Sequence, residues 1–187
     1  ESQSEENNNM VKRLYLSEVS FFIGPDYLVV LHEGNLPPIN ALFERCQKTL
    51  AMRKKFMGEG IPFLFYSLVD QIVDHCFPIL DKITGEIEQV DREILTARNE
   101  QVVTKISLIR RNIVLFHTMM KPTIPLFTNL EEGKARRLNG TLKDFWGNLV
   151  EHFKKMLDSL DDARELTEGI SLSNESVLTF RTNEIVK

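Results

Sequence analysis

A stripe of apolar residues at helical spacing runs through the middle of the chain, and it constrains the fold more than any other feature. Its members are Leu64, Leu68, Ile72, Cys76, Ile79, Ile83, Ile87, Val90 and Ile94. Apolar residues that recur every three or four positions share one face of an α-helix. The pattern predicts one helix from about Pro62 to about Arg98, bent at Pro78 because proline lacks the backbone N–H that a helix uses.

Asp70 and Asp74 stand one turn apart on this predicted helix, so their carboxylates share a face. Such a pair fits two interpretations. It is either a solvated, charged face or half of a divalent-cation site, because hard cations take carboxylate oxygens as ligands. The spacing alone leaves both interpretations open.

Two further long helices are predicted. A helix over residues 102–120 follows a corner at Asn99–Glu100 and forms a long antiparallel hairpin with the helix before it. The last helix covers residues 141–187, and at 1.5 Å per residue it is roughly 70 Å long. Its seven-residue apolar repeat predicts a coiled-coil-like seam. The predicted seam residues are Leu142, Phe145, Leu149, His152, Met156, Ser159, Ala163, Leu166, Ile170, Ser173, Val177 and Phe180.

A small β-hairpin is predicted near the start of the chain. Residues 19–23 and 27–31 are β-branched and aromatic, and Gly24-Pro25-Asp26 between them is a turn sequence. A lone two-stranded hairpin is marginal in water, so we expect further strands upstream. The fold class is therefore mostly α with a small β-hairpin that is part of an α/β/α domain. The predicted regions are a loop or disordered segment (1–17), a partial α/β/α domain (18–58, including a helix from Pro38), the long helical hairpin (59–140) and the stalk-like last helix (141–187).

Composition excludes several classes of function. The net charge is -4 over 187 residues, and the absence of a basic patch disfavours nucleic-acid binding. Cys46 and Cys76 fall in apolar helical patterns, which favours buried free thiols in a reducing compartment. The sequence contains no run of about 18 apolar residues, so no membrane span is predicted within it. The polar, acidic start does not have the character of a signal peptide.

Catalytic motifs are missing from the sequence. It contains no glycine-rich phosphate loop, nucleophile elbow or paired CxxC, so we predict that the chain is not an enzyme. The four histidines show no metal-ligand spacing among themselves. An acidic band on the last helix is either a solvated face or, if repeated around the axis of a bundle, an attractor of cations. It consists of Asp158, Asp161, Asp162, Glu165 and Glu168.

With these elements in order, the chain from Glu18 onward resembles the CorA-type metal-ion transporters. The similar segments are Leu28-Val29-Val30-Leu31-His32, Tyr66-Ser67-Leu68-Val69-Asp70 with Ile72-Val73-Asp74, Ile109-Arg110-Arg111-Asn112, and Thr182-Asn183-Glu184-Ile185-Val186-Lys187. The resemblance implies an α/β/α domain at the cytoplasmic face of the inner membrane, followed by a helical hairpin and a stalk helix. It also implies five identical subunits, with two membrane helices and a Gly-Met-Asn sequence expected beyond Lys187.

The resemblance also implies particular site residues. Asp70 matches a carboxylate of regulatory metal sites between subunits, and Asp74 stands beside it. A stalk aspartate of the family falls on Asn148, where a neutral amide oxygen predicts a weaker site or none. Asn183 matches a pore-facing stalk residue that meets the hydrated ion. Asp70, Asp74 and Asn148 are thus the candidate metal residues, and Asn183 is the candidate pore-lining residue.

Two classes of function follow. The first is the metal-sensing region of a CorA-type transporter for magnesium, which gates the pore through divalent ions bound between subunits of a homopentamer. A zinc, cobalt or nickel transporter of the same fold is its variant, although scattered histidines and cysteines argue against a soft-metal sensor. The second class is a soluble helical scaffold that binds a partner by coiled-coil pairing.

Overall fold

The computed structural model describes residues 11–34, 36–94, 99–135, 138 and 142–185. It contains two strands and six helices within these ranges. They are β1 (Val19–Ile23), β2 (Leu28–His32), α1 (Pro37–Lys48), α2 (Leu50–Met57), α3 (Ile61–Glu93), α4 (Asn99–Met120), α5 (Thr123–Glu131) and α6 (Lys143–Ile185). The prediction of a mostly helical chain with a small antiparallel sheet is confirmed.

The chain divides into two compact units. Among the described residues, the sheet unit contains those of 15–78 and 120–155, and the hairpin unit contains those of 79–119 and 156–185 together with residues 11–14. Helices α3 and α6 each contribute residues to both units, so the sheet unit holds their parts up to Pro78 and Lys155.

The sheet unit is built on the predicted β-hairpin. Strands β1 and β2 pair antiparallel with Phe21 opposite Val30, and the Gly24 N–H closes the turn by donating to the Tyr27 carbonyl at 2.9 Å. The inner face of the sheet packs on apolar residues of α1, α2 and α3. These are Ile39, Leu42, Cys46, Phe56 and Leu68. The ring of Phe65 on α3 meets that of Phe21 edge-on, at 5.1 Å between centroids.

The helix predicted to begin at Pro38, within the region 18–58, is interrupted at Thr49. Thr49 has extended backbone angles (φ -136°, ψ 129°), and α2 begins immediately after it. Its hydroxyl and its N–H both donate to the Arg45 carbonyl at 3.2 Å, so the last turn of α1 is closed at Thr49. Proline occupies the first turn of α1 as predicted, where its missing N–H has no helical partner to lose.

Helices α3 and α4 form the predicted hairpin. In the hairpin unit, the Lys105 ammonium of α4 pairs with the Glu93 carboxylate of α3 at 2.7 Å. The predicted corner at Asn99–Glu100 is wrong, because both residues already belong to α4. Most of the connection, residues 95–98, lies outside the described residues. Beyond α4, prolines 122 and 125 flank the start of a separate short helix, α5, within the region 59–140 that was predicted as the long helical hairpin.

Helix α3 is the one described helix whose length and composition would allow it to cross a membrane. Phe65, Val69 and Val73 of this helix are buried within the chain, as in the core helix of a folded domain. Cys46 is buried as predicted, whereas Cys76 is only partly buried and donates from its thiol to the Ile72 carbonyl at 3.3 Å. Burial raises the pKa of the Cys76 thiol to about 11.

Half of the predicted seam on α6 is displaced by one residue. The members at Leu142, Leu149, Met156, Ala163 and Ile170 are buried as predicted. The buried residues that alternate with them are Trp146, Phe153, Leu160, Thr167 and Asn174. The sequence predicted in their place Phe145, His152, Ser159, Leu166 and Ser173. In a seven-residue repeat, successive buried residues can be spaced by three and then four positions, or by four and then three. The packing in each unit selects four and then three.

Candidate metal site on helices α3 and α6

Five polar side chains meet in the sheet unit between one face of α3 and one face of α6. Tyr66, Asp70 and Asp74 follow one another at intervals of one turn on α3, and Asn148 and His152 are one turn apart on α6. Asp70, Asp74 and His152 each offer a ligand atom, and these atoms lie within 4.8 Å of one another. We call these five residues the Asp70 cluster.

Aromatic packing fixes the two helix faces that carry the cluster. The Tyr66 ring lies 4.9 Å from that of Phe145 and 5.8 Å from that of Trp146, measured between centroids. The His152 ring meets the Phe77 ring edge-on at 5.7 Å. Such contacts favour defined ring orientations, so Tyr66 and His152 are held in place by apolar neighbours.

Tyr66 connects Asn148 to Asp70. Its hydroxyl interacts with the Asn148 amide, which lowers the pKa of Tyr66, and with the Asp70 carboxylate, which raises it. Tyr66 is buried, with 8% of its surface exposed. Asn148 is itself exposed and reaches the acidic pair through Tyr66.

The surroundings of the cluster make it unfavourable for Asp70 and Asp74 both to be negatively charged. Burial raises the pKa of Asp70, and the neighbouring charge of Asp74 raises it further, while the Tyr66 hydrogen bond and His152 pull it down. The pKa of the Tyr66 hydroxyl is likewise raised, first by burial and then by the charge of Asp70. A divalent cation would relieve the repulsion between the carboxylates, since it supplies the positive charge that they lack.

His152 is the cluster member that sequence reasoning missed. It was placed in the seam, but it is only partly buried and faces Asp70 and Asp74 on α3. Its Nδ1 is buried and has no hydrogen-bond partner within the described chain. Neutral imidazole nitrogen is a common metal ligand, so the donor set fits a cation. The available signal was the one-turn spacing from Asn148, which puts both side chains on one face.

The other candidates lie elsewhere. Asn183 is exposed near the end of α6, in the hairpin unit, and takes no part in the cluster. In the acidic band, the Asp161 carboxylate lies 3.7 Å from the His117 ring nitrogen, and Arg164 pairs with Glu168 at 3.1 Å. These acids are exposed, as expected of a solvated face on a single helix.

Comparison with known proteins decides the family. The model of the "CorA-like Mg2+ transporter protein" family matches residues 2–187, nearly the whole chain. The chain belongs to the CorA-like Mg²⁺ transporter family. The resemblance read from the motifs is confirmed, and so is the prediction that the chain is not an enzyme, because this is a family of transporters.

Curated CorA relatives are distant but cover most of the chain. A "Cobalt/magnesium transport protein CorA" of Thermotoga maritima is 24% identical over 125 residues, which are 67% of this chain and 36% of that protein. The Bacillus subtilis "Putative metal ion transporter YfjQ" is 24% identical over 180 residues, covering 92% of this chain and 53% of the relative. The chain thus spans between about a third and half of the length of these relatives.

Solved CorA structures share the fold. The complete CorA magnesium transporter of Methanocaldococcus jannaschii matches 85% of this chain and 50% of that chain, with a TM-score of 0.74 and 19% identity. The soluble domain of CorA from the same organism matches 82% of this chain and 60% of that chain, with a TM-score of 0.71 and 18% identity. At this identity the likeness establishes the fold and leaves the site to be argued from its own residues.

Proposed function

We propose that this CorA-like region senses divalent cations at the Asp70 cluster and thereby controls ion transport by the whole protein. The observation that carries the proposal is the convergence of Asp70, Asp74 and His152, whose ligand atoms lie within 4.8 Å of one another on two helices. Family membership favours this function over a helical scaffold that only docks a partner.

The cluster supplies too few ligands to hold Mg²⁺ by itself. Mg²⁺ takes six oxygen ligands and gives up its waters reluctantly, so two carboxylates and an imidazole leave several positions to water or to other groups. We infer that a neighbouring subunit completes the site in a homopentamer at the cytoplasmic face of the inner membrane, anchored by membrane helices beyond Lys187. Cation binding would then stabilise one arrangement of subunits, which shifts the population between closed and open states.

One face of α6 suits contact with identical copies around an axis. It presents small, polar and scattered apolar side chains, all of them exposed. They are Leu166, Gly169, Ser173, Ser176, Phe180 and Asn183. Small residues allow helices to approach closely, and an amide at the end of such a face can meet a hydrated cation through water. This supports the expectation that Asn183 faces the axis.

Magnesium is the ion that we propose first, and cobalt is the second candidate. His152 favours the second, because imidazole nitrogen suits borderline metals such as cobalt, nickel and zinc better than it suits magnesium. A cluster of two carboxylates and one imidazole can therefore respond to both kinds of ion, with different affinities.

The decisive experiment uses the full-length protein and the variant Asp70→Asn. We expect Mg²⁺ to slow proteolysis of the wild-type soluble region, and the variant to require at least about tenfold more Mg²⁺ for the same protection, since it loses a charged ligand. Asp81→Asn is the matched control, because Asp81 is an exposed acid on the same helix outside the cluster. Equal protection of Asp70→Asn and wild type at every Mg²⁺ concentration would exclude Asp70 as a sensor ligand.

A further inference from the structure

A short extended segment lies on the helical hairpin within the hairpin unit. Residues 11–14 belong to neither a helix nor a strand, yet Val11 is only 8% exposed. Beneath the segment, Asn112 of α4 is 1% exposed and is one of the few fully buried polar side chains among the described residues. A buried amide needs hydrogen-bond partners, and the segment supplies them.

The hairpin holds this segment by its main chain. The Asn112 Nδ2 donates to the Lys12 carbonyl at 2.9 Å, and the Leu14 N–H donates to the Asn112 Oδ1 at 3.0 Å. From α3, the Glu86 carboxylate interacts with the Lys12 backbone, which counteracts the rise in the pKa of Glu86 that burial causes. One carboxamide thus pairs with the segment as the peptide group of a neighbouring β-strand would.

The two middle side chains of the segment contribute little to this contact. Those of Lys12 and Arg13 are exposed, whereas Val11 is buried and Leu14 is partly buried. Contacts from the Lys12 carbonyl and the Leu14 N–H to one amide are those of an extended chain, in which the main-chain groups of Arg13 point the opposite way. The contact therefore recognises an extended backbone, does not use the side chains of residues 12 and 13, and gains apolar burial from Val11 and Leu14.

The groove loses specific contacts when it is empty. Without the segment, the Asn112 amide would lose both of its main-chain partners and the segment that covers it. Glu86 would retain only a loose contact with Lys82, whose ammonium is 3.8 Å from its carboxylate. The two helices are thus prepared for an extended main chain at this point.

We propose that α3 and α4 form a binding groove for an extended peptide backbone, and that residues 11–14 of the same chain occupy it as a detachable strap. The strap is held by the two hydrogen bonds to Asn112 of α4, and its backbone also interacts with Glu86 of α3. Its release would expose a peptide-binding surface on the hairpin, a function separate from the cation site of the sheet unit.

The first test is amide hydrogen exchange of the full chain. We expect the Leu14 amide to exchange at least about tenfold faster in Asn112→Leu than in wild type, while the amides of Ile106 and Ile109 in α4 keep their protection. Lys12→Ala and Arg13→Ala are the controls, which should change Leu14 exchange by less than about threefold because they alter only exposed side chains. Release of the strap by either control, or unaltered Leu14 exchange in Asn112→Leu, would overturn the proposal.

A second variant covers the case in which Asn112→Leu fails to fold. Leu14→Pro removes the strap's N–H donor and leaves the groove intact. A fluorescent peptide of residues 11–16 should bind this variant and not wild type. N-methylation of its Leu14 nitrogen should weaken binding at least about tenfold, and N-methylation of its Arg13 nitrogen should have little effect.

Three results would contradict this second prediction. They are no binding of the peptide to Leu14→Pro, equal losses from the two N-methylated peptides, and Leu14 protection in wild type that rises with protein concentration. The last result would place the segment of a second copy in the groove instead of the chain's own.

Discussion

His152 of α6 and Asp70 of α3 hold ligand atoms within 4.8 Å of each other, although 82 residues separate them in the sequence. The edge-on Phe77 ring supports the imidazole, and the Tyr66 hydroxyl supports the carboxylate. His152 brings a nitrogen ligand to a site that would otherwise offer only oxygen ligands. Comparing the binding of Mg²⁺ with that of Co²⁺ tests whether this nitrogen is used.

Replacing His152 should alter the ion preference of the site. In the full-length protein, His152→Ala should weaken Co²⁺ protection against proteolysis by about tenfold or more and Mg²⁺ protection much less, since cobalt prefers the lost nitrogen. His75→Ala is the control, because His75 is exposed on α3 next to Asp74 but outside the cluster. Equal losses for both ions would show that His152 acts by packing against Phe77 and is not a ligand.

The register of the α6 seam predicts a large difference between two leucines. Leu160 has 0% of its surface exposed, whereas Leu166 is 52% exposed. Leu160→Ala should lower the free energy of unfolding by about 2–5 kcal/mol because it opens a cavity, and Leu166→Ala should change it by about 0.5 kcal/mol or less. Urea denaturation of the two variants measures both values. A larger loss for Leu166→Ala would restore the register predicted from the sequence.

The contribution of Glu86 to the free energy of unfolding should fall as pH rises. A salt-bridged acid, whose pKa is lowered, shows the opposite dependence. Burial raises its pKa above the ordinary 4.5, outweighing Lys82 and the Lys12 hydrogen bond. The folded protein therefore binds this proton more tightly than the unfolded chain, and stability contributed by protonated Glu86 is lost as pH rises through its folded pKa.

The neutral variant Glu86→Gln isolates this effect. We expect its melting temperature to equal that of wild type near pH 4 and to exceed it at pH 7, because glutamine can accept the Lys12 N–H without carrying a buried charge. Glu88→Gln, which changes an exposed acid of the same helix, serves as the control. A difference between Glu86→Gln and wild type that stays constant from pH 4 to pH 7 would contradict the assignment.

Asn183 should face the axis of the assembled protein. Cysteine introduced there in a full-length protein should form disulfides between subunits under mild oxidation, because residues near the axis of a ring approach their copies. Thr182→Cys and Glu184→Cys are the neighbouring controls, since a helix turns their side chains away from Asn183. Crosslinking at either control position without crosslinking at Asn183→Cys would move the pore line to another face of α6.

The sequence predicted helices and strands well where one periodicity was strong and had one meaning. The apolar stripe of α3 and the Gly24-Pro25-Asp26 turn each indicated the element that is present. The predicted helix boundaries were wrong at Thr49 and at residues 99 and 100. Whether a helix breaks or continues at these positions depends on hydrogen bonds and neighbours that helix propensity does not include.

Local pattern determined the long helices, the hairpin and the position of Asp70 beside Asp74, because helical spacing alone sets which residues of one helix share a face. Motif order further identified the family. Tertiary structure decided which of two equivalent seams α6 buries, and it brought His152 to the acidic pair and Asn112 to residues 12–14. These relationships join segments far apart in the chain, and a repeat along one helix holds no information about the partner that packing selects.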